Sequence, residues 1–289
     1  MSFPNLMRIR QHFDAPTVED IPESVREEVS RLNLVTRVEP GQSVAVSVGS
    51  RGINNIALIT KSLVEELKNL GLEPFLVPAM GSHGGGIAEA QREIIEGYGV
   101  TEEYVGAPIK ASMETVQVGQ TEDSVPVFFD KYAFEADHVA VVGRIKPHTD
   151  FVGEIESGLH KMMLIGLGKH KGAALYHQAI VHYSFDRIIR SVGQQVIEKC
   201  GVLLGLGIVE NQYDQTALLK GVAPEEFVER EKELLDIAKK WMPRLPFDHV
   251  DLLIVDEIGK NISGAGMDTN VVGRKFHDNH AAEKEYPKV

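Results

Sequence analysis

Residues 43–79, SVAVSVGSRGINNIALITKSLVEELKNLGLEPFLVPA, decide the fold of this chain. Residues 43–49 are β-branched and bounded by glycine, which predicts a buried strand. Residues 53–70 place apolar side chains at helical spacing and end at Gly71, so they predict an amphipathic helix with a glycine cap. Residues 74–79 predict a second buried strand. A strand, a helix and a strand in this order predict two parallel strands joined by a right-handed crossover.

The same pattern continues towards both ends of the chain. An acidic helix precedes the first strand, and residues 109–134 alternate Thr and Val in a way that predicts an antiparallel excursion. Further helices and buried strands are predicted at residues 87–98, 138–145, 157–166, 185–199, 202–210 and 224–241. The predicted fold class is therefore α/β, with a Rossmann-like, mostly parallel sheet and helices on both faces.

A break near residues 243–246, which hold two prolines, divides the predicted domains. Residues 1–245 are expected to form one α/β domain. Residues 251–256, DLLIVD, predict a fresh buried strand, and only about one strand–helix unit, which includes this strand, follows the break. We expect residues 246–289 to be the beginning of a second, truncated α/β domain, because so short a segment is too small for its own core.

Composition excludes several classes of protein. The 289 residues carry a formal net charge of −12, which argues against nucleic-acid binding and against docking on an anionic membrane. The single cysteine, Cys200, excludes disulfide scaffolds and any iron–sulfur cluster held by the chain's own thiolates. The first residues show no signal peptide. A cytoplasmic location is the expectation, and the sequence leaves the oligomeric state open.

Ionisable residues follow the predicted strands. Because ligands of open α/β sheets bind at the carboxyl ends of the strands, these residues predict an active site at one edge. They are Arg51 in GSRG, His83 in GSHGGG, Lys146 and His148 in KPHTD, and Lys260 in EIGKN. Gly84 follows His83 in the same loop and is a further candidate.

Each of these residues also has a plain structural interpretation. Arg51 fits a carboxylate or phosphate ligand, but equally a surface ion pair. His148 equally fits a capping or core histidine. With Asp150 it also fits part of an iron site, although that site is typical of a jelly-roll fold. Lys161, in ESGLHK, is either a desolvated nucleophile or an ammonium that reaches water. His177 lies in a histidine-rich stretch that permits metal binding but is also typical of a solvated helix face.

The order of the motifs resembles the nickel-dependent lactate racemase family, part of a superfamily of 2-hydroxyacid racemases and epimerases. The shared features are the arginine after the first strand, Gly-x-His, Lys-Pro-His, Ser-Gly-x-x-Lys and a histidine sixteen residues beyond that lysine. The resemblance implies a nickel-pincer nucleotide, a pyridinium mononucleotide that carries two sulfurs and is joined to Lys161 through a thioamide. It also implies the remaining roles: His177 as nickel ligand, His83 and His148 as paired acid and base, Arg51 for the substrate carboxylate, Lys260 as a second substrate cation, and Lys146, Gly84 and Ser157 as cofactor contacts.

The implied activity is an isomerase, a racemase or epimerase of a small 2-hydroxy acid that works by hydride transfer. Inversion through a keto intermediate needs bases with pKa values near neutrality, which histidine supplies, while the cofactor accepts the hydride. The enzymes that make the cofactor are implied as transient partners. A cofactor that brings its own sulfur also agrees with a chain that has one cysteine.

Two departures from the family pattern leave the substrate open. Val48 stands where family members usually have an acidic residue, and the segment from His148 to Lys161 is longer and adds Asp150, Glu154 and Glu156. Lactate is therefore not assumed. Two other functions stay open at this point: a non-pincer metal-dependent hydrolase or oxygenase that uses His148 and Asp150, and a non-catalytic domain that binds a small anion.

Overall fold

The computed structural model describes residues 6–259 and 262–273. The strands of this part of the chain are β1 (Ser43–Val48), β2 (Glu73–Pro78), β3 (Thr115–Gln120), β4 (Pro126–Asp130), β5 (His138–Arg144), β6 (Val202–Glu210) and β7 (Thr216–Val222). A central five-stranded sheet has the order β2-β1-β5-β6-β7, and only β7 runs antiparallel to its neighbour. The predicted α/β fold with a mostly parallel sheet is confirmed.

Two strands lie outside the central sheet. β3 and β4 pair antiparallel with each other and form a separate two-stranded sheet. The Thr/Val alternation of residues 109–134 predicted this excursion, which is confirmed. β7 was not predicted. Its sequence, TALLKGV, contains a lysine and a glycine, which lower its β propensity. The strand is stabilised by its antiparallel pairing with β6.

Helices cover both faces of the central sheet, as predicted. The helices of the described residues are α1 (Ile21–Arg31), α2 (Ile56–Asn69), α3 (Ala88–Gly97), α4 (Glu102–Val105), α5 (Lys131–Glu135), α6 (Leu159–Lys161), α7 (Lys169–His182), α8 (Phe185–Lys199), α9 (Phe227–Lys240) and α10 (Thr269–Val272). Alternate side chains of β1 enter opposite clusters: Ala45 belongs to the cluster with residues of α7, α8 and α9, whereas Val44 and Val46 belong to the cluster with residues of α1 and α2. None of those helices is long and apolar enough to cross a bilayer.

A buried ion pair holds the start of α7 against the sheet. Lys169 Nζ lies 2.9 Å from Asp130 Oδ2 and donates to the carbonyl oxygen of Pro78 at 2.5 Å. Both charged side chains are fully buried, and burial raises the pKa of Asp130 and lowers the pKa of Lys169. The pair therefore connects β4, the end of β2 and α7 in the interior.

The predicted strand at residues 251–256 is wrong. These residues form no strand in the structure, and Leu252 and Ile254 are 75% and 79% exposed. The DLLIVD pattern carries strand propensity, but a strand also needs a neighbour to pair with, and no described strand pairs with this segment.

Candidate active site

The candidate site lies at the carboxyl ends of β1 and β5. These two strands are parallel neighbours, and the chain leaves them in opposite directions, to β2 on one side and to β6 on the other. Such a switch point opens a crevice in which ligands of α/β proteins bind. Arg51 follows β1, and Lys146 and His148 follow β5, so the connectivity brings the predicted residues to this crevice.

The segment that holds Lys161 crosses the ends of these strands. It continues from α6 directly into a π-helix, Met162–Gly166. Three glycine contacts show how closely the segment packs. A Cβ atom on Gly49, after β1, would lie 3.4 Å from Met162 Cε, one on Gly143 of β5 would lie 2.9 Å from Met162 Cγ, and one on Gly166 would lie 2.8 Å from the carbonyl oxygen of Ala79. At Gly166 the neighbour is a backbone oxygen, so this close approach needs glycine. Single π-helical turns within α-helices are frequent at functional sites.

Lys161 lies among positive charges. Burial lowers the pKa of Lys161 to about 8, and the charges of Arg51 and Lys146 act in the same direction. Lys161 Nζ donates to Ser157 Oγ at 3.4 Å, and Lys146 Nζ forms an ion pair with Asp268 Oδ2 at 3.1 Å. At pH 7 about one tenth of such an amine is neutral, against far less than 1% for an ordinary lysine. Lys161 is therefore the best placed amine nucleophile of this crevice.

The lowered pKa gives a direct prediction for the unloaded protein. Trace acylation of Lys161 by an amine-reactive reagent, followed by peptide mass spectrometry, should reach half its maximal rate near pH 8. Arg51→Ala should raise that midpoint, because it removes a neighbouring positive charge. Lys171, which is exposed on α7, is the internal control for the activity of the reagent. A Lys161 midpoint near pH 10.4, the value of lysine in a model peptide, would contradict the described environment.

His83 is attached to the end of β1. Its Nδ1 shares a hydrogen bond with the hydroxyl of Ser50, the residue before Arg51. The hydroxyl of Tyr98 donates to the carbonyl oxygen of Ser50 at 2.9 Å, and the side-chain amide of Gln91 donates to the carbonyl oxygen of His83 at 3.0 Å. These bonds place His83 beside Arg51, although the two residues follow different strands.

The glycines after His83 form a tight turn. Their conformation does not by itself assign a phosphate ligand to this turn. Gly84, Gly85 and Gly86 have φ values of 64°, 67° and 68°, which residues with a side chain rarely adopt. The turn ends where α3 begins. Gly84 is therefore placed near the crevice by the His83 turn, and its proposed contact with a cofactor stays a prediction.

His148 is held from several sides. Its backbone N–H donates to Glu156 Oε2 at 2.6 Å, and its carbonyl oxygen accepts from the side-chain amide of Asn270 at 3.1 Å. Its Nδ1 accepts the backbone N–H groups of Asp150 and Phe151, at 3.1 Å and 3.2 Å. The imidazole also stacks on the ring of Phe151, with 4.9 Å between the ring centroids. The ring is therefore fixed in orientation.

The segment 262–273 covers one side of this crevice. A Cβ atom on Gly264 would lie 3.6 Å from Thr149 Oγ1 and 3.8 Å from Arg51 Nη2. Thr269 Oγ1 donates to the carbonyl oxygen of Thr149 at 2.5 Å, and Asp268 pairs with Lys146. Sequence reasoning did not assign a role to these residues. Their only signal was the polar, glycine-containing composition after residue 256.

The acidic residues after His148 hold the loop in place. Glu154 pairs with Arg190 of α8 at 2.7 Å and with Lys232 of α9 at 3.0 Å. Glu156, almost completely buried, lies 3.3 Å from Lys239 of α9 and also accepts the His148 N–H. The extra acids therefore connect the loop to two helices.

A second buried contact fixes the Lys161 segment itself. Glu231 of α9 accepts hydrogen bonds from the backbone N–H of His160 at 3.1 Å and from its ring at 2.6 Å. A Cβ atom on Gly158 would lie 2.0 Å from Glu231 Oε1. The Ser-Gly of the SGLHK motif thus leaves room for this carboxylate, and sequence reasoning missed the role of Glu231.

Two predicted site residues are not brought into these contacts. His177 is exposed on α7, and Lys260 lies outside the described residues. Within residues 6–259 and 262–273, no three His, Cys, Asp or Glu side chains come together in a way that could hold a metal ion. The role of His177 as a metal ligand therefore stays a prediction.

The fold and the crevice define an α/β domain with its ligand site at a topological switch point. A family model described as the lactate racemase N-terminal domain matches residues 8–187, more than half of the chain. The chain belongs to this family, and the resemblance inferred from the motifs is confirmed. No curated protein gives a significant match.

A solved structure agrees with this assignment of the fold. The lactate racemase apoprotein from Thermoanaerobacterium thermosaccharolyticum matches with a TM-score of 0.57 and 13% sequence identity. The match covers 76% of this chain and 56% of that chain. This chain thus matches little more than half of the length of that racemase.

Proposed function

We propose that this protein is an isomerase that racemises or epimerises a small 2-hydroxy acid with a nickel-pincer nucleotide attached to Lys161. The observation that carries the proposal is the position of Lys161, a lysine with a pKa of about 8, beside Arg51 and Lys146 at the switch point. Membership of the lactate racemase N-terminal domain family supports the reaction class.

The residues of the crevice fit the proposed cofactor. A thioamide link needs a neutral amine, and Lys161 becomes neutral at a lower pH than a lysine in water. Arg51 and Lys146 form a positive environment that favours an anionic group such as a phosphate or a carboxylate. Ser157, whose hydroxyl accepts from Lys161, and Gly84, which follows His83, are further candidate contacts. His177 would supply the single imidazole ligand to nickel, a metal that imidazole suits.

The chain's own residues would bind and orient the substrate and move its proton. The bound group, when present, supplies an acceptor for the hydride of C2. Arg51 would hold the substrate carboxylate through two hydrogen bonds. His83 and His148, placed after β2 and β5, are the proposed acid–base pair for the hydroxyl. Lys260 stays a proposed second substrate cation.

A metal hydrolase or oxygenase built on His148 and Asp150 finds no support in the site. Asp150 approaches His148 through its backbone N–H rather than through its carboxylate. The proposed setting is cytoplasmic, with the cofactor-making enzymes as transient partners. We also propose that residues 246–289 begin a second α/β domain, since the exposed apolar residues Leu252 and Ile254 are suited to a sheet that the described residues do not contain.

The test of the proposed function is isomerisation by protein produced together with the cofactor-making enzymes. Single enantiomers of short 2-hydroxy acids, labelled with deuterium at C2, are incubated with the holoenzyme and separated by chiral chromatography. We expect at least one acid to be interconverted with the deuterium kept at C2, because a hydride transfer returns the same hydrogen. Interconversion with loss of the label to water would contradict hydride transfer, and no interconversion of any acid would contradict the function.

Arg51 gives a second prediction for the same enzyme. Arg51→Ala should lower kcat/KM about 10- to 100-fold, mainly through a higher KM, because charged hydrogen bonds to a carboxylate contribute about 1.5–3 kcal/mol. The matched control is Arg187→Ala, which removes an exposed arginine paired with Asp123 outside the crevice. Equal kinetics for Arg51→Ala and Arg187→Ala would contradict a role of Arg51 in substrate binding.

A further inference from the structure

Polar contacts of three consecutive residues hold the segment 262–273, here called the strap, against the loop after β5. Asp268 Oδ2 lies 3.1 Å from Lys146 Nζ. The hydroxyl of Thr269 and the side-chain amide of Asn270 donate to two backbone carbonyl oxygens of that loop, at 2.5 Å and 3.1 Å. These two residues thus contact only the backbone of the loop through those bonds, whereas Asp268 contacts a charged side chain of the crevice.

The attachment of the strap is polar rather than apolar. The two apolar clusters of the described residues contain no residue of the strap, and Ile262 and Met267 are exposed. Two buried polar atoms of the strap, Ser263 Oγ and Asn270 Oδ1, have no hydrogen-bond partner within the part of the chain that the structure describes. Such unpaired atoms weaken the docked state. Detachment therefore takes no strap residue out of an apolar cluster, and the polar contacts can be exchanged for others.

The two carboxylate oxygens of Asp268 have different contacts. Oδ1 accepts the backbone N–H and the side-chain amide of Asn270, at 2.9 Å and 3.0 Å, while Oδ2 faces Lys146. Lys146 lies close enough to Lys161 for its charge to lower the pKa of that amine. A carboxylate of the chain itself thus neutralises the charge of Lys146, where the proposed function needs an anionic group of the ligand.

We propose that Asp268 is an internal competitor for the anion site at Lys146, and that a ligand phosphate displaces its carboxylate and releases the strap. This inference rests on the proposed function, which assigns a cofactor contact to Lys146. A phosphate monoester carries a charge of about −1.5 to −2 at pH 7, whereas a carboxylate carries a single charge. The exchange is therefore electrostatically favourable in a crevice that also holds Arg51 and Lys161. The strap acts as a gate that opens for a ligand with a phosphate.

Binding of nicotinic acid mononucleotide, a pyridinium mononucleotide, tests the competition in protein made without the cofactor-making enzymes. Asp268→Asn removes the charge but keeps the shape of the side chain and a residue type that caps helices well. By isothermal titration calorimetry, we expect the dissociation constant to fall about 2- to 5-fold in this variant, because the ligand no longer competes with an ion pair. Lys146→Ala should bind at least tenfold more weakly than the wild type.

The matched control for the change of charge is Asp123→Asn, which breaks the pair with the exposed Arg187 outside the crevice and should bind like the wild type. Equal or weaker binding by Asp268→Asn would overturn the proposal. So would wild-type affinity in Lys146→Ala, or no binding to the wild type and Asp268→Asn alike.

Release of the strap is tested separately in a tethered variant. A Cβ atom on Gly264 would lie 3.6 Å from Thr149 Oγ1, so Thr149→Cys/Gly264→Cys brings two thiols within reach of a disulfide, while Cys200 is buried. We expect the oxidised protein to bind the mononucleotide at least tenfold more weakly than the same protein after reduction. Equal affinity of the two forms, with the disulfide verified by mass spectrometry, would show that the strap is not released. Isomerisation by the wild-type holoenzyme would still stand in that case, so failure here is distinct from failure of the proposed function.

Discussion

Lys161→Ala should abolish isomerisation in protein produced together with the cofactor-making enzymes. The substitution removes the amine to which the cofactor is proposed to be attached, and no part of the reaction proceeds without the hydride acceptor. The rate of interconversion of the enantiomers, measured by chiral chromatography, should fall to the level of a sample without protein. Lys161→Arg should be equally inactive, because a guanidinium keeps the charge but is not deprotonated.

The loss should not come from unfolding. Lys161 lies near Arg51 and Lys146, whose positive charges repel its own. Removing the Lys161 ammonium should therefore leave the midpoint of urea unfolding unchanged or higher. Lys171→Ala, which removes an exposed lysine of α7, is the matched control and should keep full activity. Substantial activity in Lys161→Ala would contradict the proposed attachment.

Asp130→Ala should produce the largest loss of stability among single substitutions of charged residues. It would leave the Lys169 ammonium buried without its partner, and breaking such a pair typically costs about 3–5 kcal/mol. It would also remove the carboxylate that accepts the Ala133 N–H at 2.8 Å and caps α5, which is worth about 1 kcal/mol. Urea unfolding followed by circular dichroism measures the change in the free energy of unfolding.

Two further variants separate the buried charge from other effects of this substitution. Asp123→Ala breaks the pair with the exposed Arg187 and should change the free energy of unfolding by at most about 1 kcal/mol. The double variant Asp130→Ala/Lys169→Met should recover a large part of the loss, because no charge is then left buried. A double variant that is as unstable as Asp130→Ala would show that the loss has another origin.

The sequence predicted the fold because the patterns that define it are local. The strand–helix–strand order of residues 43–79 and the alternation of residues 109–134 are each visible within a short window. The candidate residues at the strand ends could also be predicted, since parallel strands bring their carboxyl ends to one edge. Arg51, Lys146 and His148 needed no knowledge of distant contacts.

The missed features depend on contacts between distant parts of the chain. Glu231 lies 71 residues from His160, and Asn270 lies 122 residues from His148, so no local pattern connects them. The error at residues 251–256 has the same origin. The pattern of that segment indicates β propensity, but a strand forms only where a neighbouring strand pairs with it. The contacts of two backbone N–H groups with His148 Nδ1 were equally invisible, because backbone N–H groups have no signature in the sequence.

The most direct test of the central claim is the intact mass of the wild-type protein produced together with the cofactor-making enzymes. We expect a mass increase that corresponds to one pincer nucleotide, maps to the peptide that contains Lys161 and is absent from Lys161→Ala. The unmodified mass in protein that isomerises a 2-hydroxy acid, or an adduct on any other residue, would contradict the proposed attachment.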